Sequence, residues 1–103
     1  MNPILVEAIS TLSSVVNVST GLAHPLDESH AKELFKALNE FGVPLNSEEV
    51  YALAMENGWS ERHAKELSEL AEKIGSGKRV QVKHPRDWGR TIAKRIISEL
   101  GKT

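Results

Sequence analysis

Five stretches of the chain carry hydrophobic residues at the three- and four-residue spacing of an amphipathic α-helix. Glycine, proline or a capping residue separates each stretch from the next, and none is longer than an ordinary globular helix. The pattern predicts an all-α fold, an irregular or orthogonal array of about five helices. The stripes lie at 4–16, 31–41, 50–54, 64–74 and 88–100.

Several helix starts can be predicted from single residues. Asn2 can cap the first helix, and Pro3 suits its first turn because the N–H that proline lacks has no intrahelical partner there. Asn46 or Ser47 is expected to cap the third helix, and Ser60 the fourth.

Glycines predict where helices end, because a residue just beyond a helix often adopts a left-handed conformation. Gly42, Gly58 and Gly75 are expected to close the second, third and fourth helices. Gly75 to Gly77 is expected to be the most flexible point and to let the cations after it move freely. Beyond it, residues 79–83 alternate polar and apolar like a half-buried strand, so we expect at most one short extended segment there.

Length and composition place the chain among small globular proteins. With 103 residues, 40% hydrophobic and 26% charged, it fits one helical domain spanning 1–103. The absence of cysteine excludes disulfides and thiolate zinc sites and favours a reducing cytoplasm. The N-terminus lacks the basic start of a signal peptide, and no apolar run is long enough to span a membrane.

Charge is distributed unevenly along the chain. Residues 1–72 hold four basic and twelve acidic residues, whereas residues 73–103 hold nine basic and two acidic ones. Such asymmetry favours a polyanionic partner, although the two parts could simply neutralise one another within one fold. The candidate residues for binding a polyanion or a partner are Lys78, Arg79, Lys83, Arg86, Arg90 and Lys94.

The stretch 50–69 resembles the helix-turn-helix of DNA-binding domains. That resemblance implies two helices packed across a glycine turn and a second helix that could enter a DNA groove. The outward face of that helix has no excess of basic residues, which favours a structural corner over a reading helix. The matching positions are Ala54, Gly58, Trp59, Ser60, Ala64 and Leu67.

Signals for catalysis, metals or cofactors are weak. His30 with Glu33 and His63 with Glu66 each place a histidine and a carboxylate one helical turn apart. Dimetal helical bundles use the reverse order and further carboxylates, so we predict no metal site. The sequence indicates no nucleophile with a neighbouring base and no cofactor motif, and we predict that the protein is not an enzyme.

These observations favour a small cytoplasmic protein that acts as a protein–protein binding or regulatory module, with a homodimer as one option. The alternative is a nucleic-acid-binding protein that uses the corner at 50–69 and the basic segment at 73–95. The two hypotheses differ in the expected position of the basic residues. Clustering on one exposed face favours nucleic-acid binding, whereas basic residues that are spread out and paired with the acidic helices disfavour it.

Overall fold

The computed structural model describes residues 2–16, 28–82 and 87–101. Within those ranges helices are the only regular elements, and no strand forms. This confirms the predicted all-α array of about five helices. The helices are α1 (Pro3–Val16), α2 (Glu28–Glu40), α3 (Ser47–Glu56), α4 (Glu61–Gly75) and α5 (Trp88–Leu100).

Side-chain caps begin three of the helices as the sequence predicts. The carboxamide oxygen of Asn2 accepts from the N–H of Ile4 at 2.9 Å at the start of α1. Asn46, rather than Ser47, caps α3 and accepts from the N–H of Glu49 at 3.0 Å. At α4 the cap is Ser60. These bonds satisfy N–H groups that have no partner inside the helix.

Three helices end in the same Schellman turn, with a glycine in the left-handed conformation. The glycines are Gly42, Gly58 and Gly77, with φ of 83°, 86° and 86°. After α3, the N–H of Trp59 donates across the turn to the carbonyl of Ala54 at 3.0 Å. Glycine is favoured here because a Cβ destabilises this conformation.

The helix α4 ends at Gly75, as the sequence predicts, although Gly75 is not the left-handed residue of the turn. Gly75 remains helical, and Gly77 is the left-handed residue two positions later. The N–H of Lys78 donates to the carbonyl of Lys73 at 3.0 Å, which fixes the start of the following segment. The turn is therefore a hydrogen-bonded helix end, and the flexibility expected for residues 75–77 stays a prediction.

The helices pack as two close pairs with α1 against them. α2 packs mainly on α5 and α3 on α4, while α1 contacts α5, α3 and α2. A buried hydrogen bond joins α1 to the α3–α4 turn: the indole N–H of Trp59 donates to Ser13 Oγ at 2.6 Å. The largest fully buried side chains include Phe35, Leu5, Ile9, Leu12, Leu53 and Leu67.

The α2–α5 pair meets at a glycine. A Cβ built on Gly89 would lie 2.3 Å from the backbone carbonyl carbon of Glu33, which is far inside van der Waals contact. The absence of a side chain at Gly89 thus lets α5 approach the backbone of α2 directly.

Candidate functional site

The connection after α4 lies on the surface as a polar–apolar alternating segment. Arg79 and Gln81 are exposed, whereas Val80 and Val82 are half-buried, and Val80 packs against the core. This period of two is that of an extended chain with one side on the protein. The alternation predicted for 79–83 is therefore present as far as the described part of the chain continues, to Val82.

One side chain of α2 forms a hydrogen bond to the backbone of this segment. Lys36 Nζ donates to the carbonyl oxygen of Val80 at 2.9 Å. The N–H and C=O groups of Arg79 and Gln81 have no hydrogen-bond partner among the residues that the structure describes. The segment is thus held at Lys78 and Val80, whereas the backbone groups of Arg79 and Gln81 have no partner in the described part of the chain.

A depression with a volume of about 510 Å³ lies beside the segment, against α4. We call it the α4 cleft. Its walls come from α2, α4 and the segment itself, and it combines three cations, two carboxylates, one amide and two apolar side chains. The lining residues are Lys32, Glu66, Glu69, Leu70, Lys73, Arg79, Val80 and Gln81.

Two smaller depressions share Lys36 as a lining residue, and three of the predicted cations line one or the other. One, of about 190 Å³, is lined by Lys36, Lys78 and Arg79 together with the acidic Glu40. The other, of about 240 Å³, is lined by Lys36 and Arg90, again with Glu40. The structure therefore brings Lys78 and Arg79 together and places Arg90 in the neighbouring depression.

The remaining predicted residues are not part of these depressions. Lys94 is exposed on α5 and lines none of the three. Lys83 and Arg86 lie outside the described residues. Lys32 and Lys36 were missed by sequence reasoning. Their four-residue spacing puts them on one face of α2, but nothing local relates that face to a segment more than forty residues away.

Four of the six candidate cations form no close ion pair among the described residues. Lys78, Arg79, Arg90 and Lys94 are exposed and have no carboxylate at salt-bridge distance among the described residues. Lys73, on α4, is in the same situation. By contrast, Arg62 pairs with Glu66 one turn along α4, with 3.5 Å between Nε and Oε1. Lys73, Lys78, Arg79, Arg90 and Lys94 are therefore exposed cations without a close ion pair in the described part of the chain.

The corner at 50–69 consists of α3 and α4 packed on one another across the turn at Gly58. Ala54, Ala64 and Leu67 are fully buried, and Trp59 is 3% exposed. The outward residues of α4 include both acidic and basic side chains, so this face presents no basic surface to a phosphate backbone. DNA binding by this corner remains a hypothesis.

The two His/Glu pairs lie apart from any larger cluster. His30 packs edge-on against Trp88, with ring centroids 4.8 Å apart and planes at 88°. His63 is half-buried at the start of α4. Within the described ranges, no three histidine, aspartate or glutamate side chains come together in a metal-binding group.

No helix in the described part of the chain combines the length and apolar character needed to cross a membrane.

Comparison with known proteins places the chain in a family without giving an activity. Residues 1–97 match the family described as Domain of unknown function (DUF1889). The chain is 29% identical over 83 residues to "Uncharacterized protein YoaC" of Escherichia coli strain K12, covering 81% of this chain and 84% of that protein. The proteins of the same description from Escherichia coli O157:H7 and Shigella flexneri match with the same figures. No solved structure matches the chain. The family match spans nearly the whole sequence, and the chain belongs to the DUF1889 family.

Proposed function

We propose that this protein is a non-enzymatic binding module that engages an acidic protein partner through the cations around its 78–82 segment. The observation that carries the proposal is the exposure of Lys73, Lys78 and Arg79 without a carboxylate at salt-bridge distance among the described residues. Because hydrated, unpaired cations attract an oppositely charged surface over roughly 8–10 Å at physiological salt, they favour encounter with an acidic partner.

The acidic residues in the same depressions favour a protein over a nucleic acid. Glu66 and Glu69 line the α4 cleft, and Glu40 lines both smaller depressions. A phosphate backbone carries closely and regularly spaced negative charges, which such carboxylates would repel. A polypeptide can place its acidic side chains opposite the cations and neutral ones opposite the carboxylates.

The test compares two variants with the same change in net charge. Lys78→Glu/Arg79→Glu reverses cations of the proposed surface, and Lys65→Glu/Arg95→Glu reverses two exposed cations that line none of the three depressions. Binding of a fluorescent polyglutamate peptide is followed by anisotropy at low and moderate salt. We expect the parent to bind in a salt-dependent manner, and affinity to fall by at least about tenfold in the first variant only.

Equal losses in the two variants would mean that net charge alone controls binding, and no binding at low salt would contradict the proposal. Circular dichroism of each variant establishes that its helices are retained.

A second candidate, nucleic-acid binding, is favoured by one observation. Arg90 and Lys94 lie one turn apart on α5, and both are exposed. Labelled duplex and single-stranded oligonucleotides test it directly, with Arg90→Glu/Lys94→Glu beside the parent. Oligonucleotide binding that falls steeply with salt and is lost in this variant would replace the acidic-protein proposal.

A further inference from the structure

We infer that the α4 cleft binds an extended, acidic segment of the partner, which pairs its backbone with Arg79 and Gln81 as an added β-strand. This inference rests on the proposed function and specifies both the partner's conformation and the contact. It is carried by the free backbone groups of the 78–82 segment, the size of the cleft and the charges around it.

The direction of the free backbone groups follows from the bond to Lys36. In an extended chain, the N–H and C=O groups of successive residues point to opposite sides. The carbonyl of Val80 faces Lys36 on α2. Because exposure alternates along 79–82 as in an extended chain, we infer that the groups of Arg79 and Gln81 face away from Lys36. Both residues line the α4 cleft, and Arg79 also lines the depression of about 190 Å³ beside Lys36. Two residues with free donors and acceptors at this spacing form the edge that strand addition requires.

The α4 cleft is larger than the two depressions that Lys36 lines. At about 510 Å³ it falls within the range of about 300–1,000 Å³ that is typical of ligand sites. The depressions of about 190 and 240 Å³ lie below that range. Leu70 and Val80 give the cleft an apolar floor beside its polar rim.

The charges favour an acidic occupant. Lys73 and Arg79 line the cleft without a carboxylate at salt-bridge distance among the described residues. Of the two glutamates there, Glu66 is already paired with Arg62. Carboxylates on the added strand would therefore meet cations that lack a close intramolecular partner.

A second copy of the chain suits this edge poorly. The added strand would then be the 78–82 segment of the other copy, which carries Lys78 and Arg79 and no carboxylate, so it would bring two further cations to an edge that is already cationic. Like charges on paired strands are destabilising. A separate acidic segment avoids this repulsion.

The experiment uses the whole chain and a labelled peptide of about eight alternating glutamates and valines, a length typical of one strand. Two companion peptides keep every side chain and every charge. One is N-methylated on its glutamates and the other on its valines, so each lacks the N–H donors of one edge. If strand addition occurs, at least one companion binds about fivefold or more weakly than the parent peptide.

Two variants of the protein provide the matched comparison. Gln81→Pro removes the N–H that faces the cleft without changing charge, whereas Gln81→Ala keeps it. We expect affinity for the unmethylated peptide to be about fivefold lower in Gln81→Pro than in Gln81→Ala, because only the proline variant loses the backbone donor. Amide hydrogen exchange of Arg79 and Gln81 should slow when the peptide binds.

The outcomes distinguish failure of the strand-addition inference from failure of the proposed function. Binding that is insensitive to both methylated peptides and to Gln81→Pro would overturn strand addition and leave the electrostatic proposal standing. No binding of any acidic peptide would overturn both. Dimerisation of the free chain that Gln81→Pro abolishes would identify a second copy as the occupant and overturn the inference.

Discussion

Residues 57–60 of the α3–α4 corner contain a Schellman turn at Gly58, and the segment at 78–82 follows the one at Gly77. The two regions differ in how many of their polar groups are hydrogen-bonded within the described residues. In the corner, the Asn57 side chain donates to the carbonyl of Leu53 at 2.8 Å, and the Trp59 backbone N–H donates to Ala54 at 3.0 Å. The Trp59 indole donates to Ser13. These groups are therefore all satisfied within the chain.

The 78–82 segment is fastened at fewer points. Lys78 bonds back to the last turn of α4, and the carbonyl of Val80 accepts from Lys36. The backbone groups of Arg79 and Gln81 have no partner among the described residues. Water can satisfy such exposed groups, so leaving them unpaired costs little stability. The corner therefore uses its polar groups to stabilise the fold, whereas the segment keeps backbone groups that an added strand would bond in the proposed complex.

The largest effect is expected from the corner's buried anchor. Trp59→Ala removes a side chain that is 3% exposed and leaves a cavity between α1 and the turn. The free energy of unfolding should fall by about 3–5 kcal/mol, measured by urea denaturation. Trp59→Phe keeps most of the volume and should cost less. A loss below about 1 kcal/mol for Trp59→Ala would show that the corner is not a stabilising element.

The turn glycine should give the next largest effect. Gly58 has φ of 86°, and a Cβ there would contact nothing, so Gly58→Ala changes only the cost of the left-handed backbone. We expect a loss of about 1–2 kcal/mol in thermal or urea unfolding. Gly75→Ala is the control, because Gly75 is helical and its Cβ would meet Leu45 at an ordinary 3.6 Å. That change should be neutral or stabilising by up to about 1 kcal/mol.

On the segment side, Lys36→Met tests the one side-chain bond that holds Val80. Losing it should lower stability by about 0.5–1.5 kcal/mol and speed amide exchange at 79–82. Lys65→Met removes an exposed lysine of α4 and should change neither quantity. Unchanged exchange in Lys36→Met would mean that packing of Val80 alone positions the segment.

The smallest effect is expected at Gln81. Its side chain is exposed and unbonded among the described residues, so Gln81→Ala should change the free energy of unfolding by less than about 0.5 kcal/mol. Ser60→Ala, the matched change in the corner, removes a helix cap and should cost about 1 kcal/mol. Equal effects at the two positions would contradict the distinction between the two regions.

The fold was predictable where its determinants are local. The stripes at helical spacing, the caps Asn2 and Ser60, and the glycines at 42 and 58 each act within a few residues. Which glycine adopts the left-handed conformation after α4 could not be predicted in this way, because Gly75 and Gly77 both can. It depends on how far the last helical turn continues, and α4 continues to Gly75.

The candidate site was predictable only in its charge. Lys78, Arg79 and Arg90 could be named because they belong to a basic stretch of sequence. The bond from Lys36 to Val80 joins residues 44 apart, and the bond from Trp59 to Ser13 joins residues 46 apart. Periodicity does not encode such pairings. A free backbone edge depends on what else lies beside the segment, which only the tertiary structure defines.

The close approach of α2 and α5 at Gly89 limits which residue a member of this family can have at this position. Because a Cβ at Gly89 would overlap the backbone of Glu33, no rotamer of any other residue avoids the clash. A relative that replaces this glycine has to move α5 away from α2, and Arg90 then moves away from Lys36 as well. Sequences that diverge freely on their surfaces should therefore retain glycine here, and a relative without it should differ in the shape of the adjoining depression.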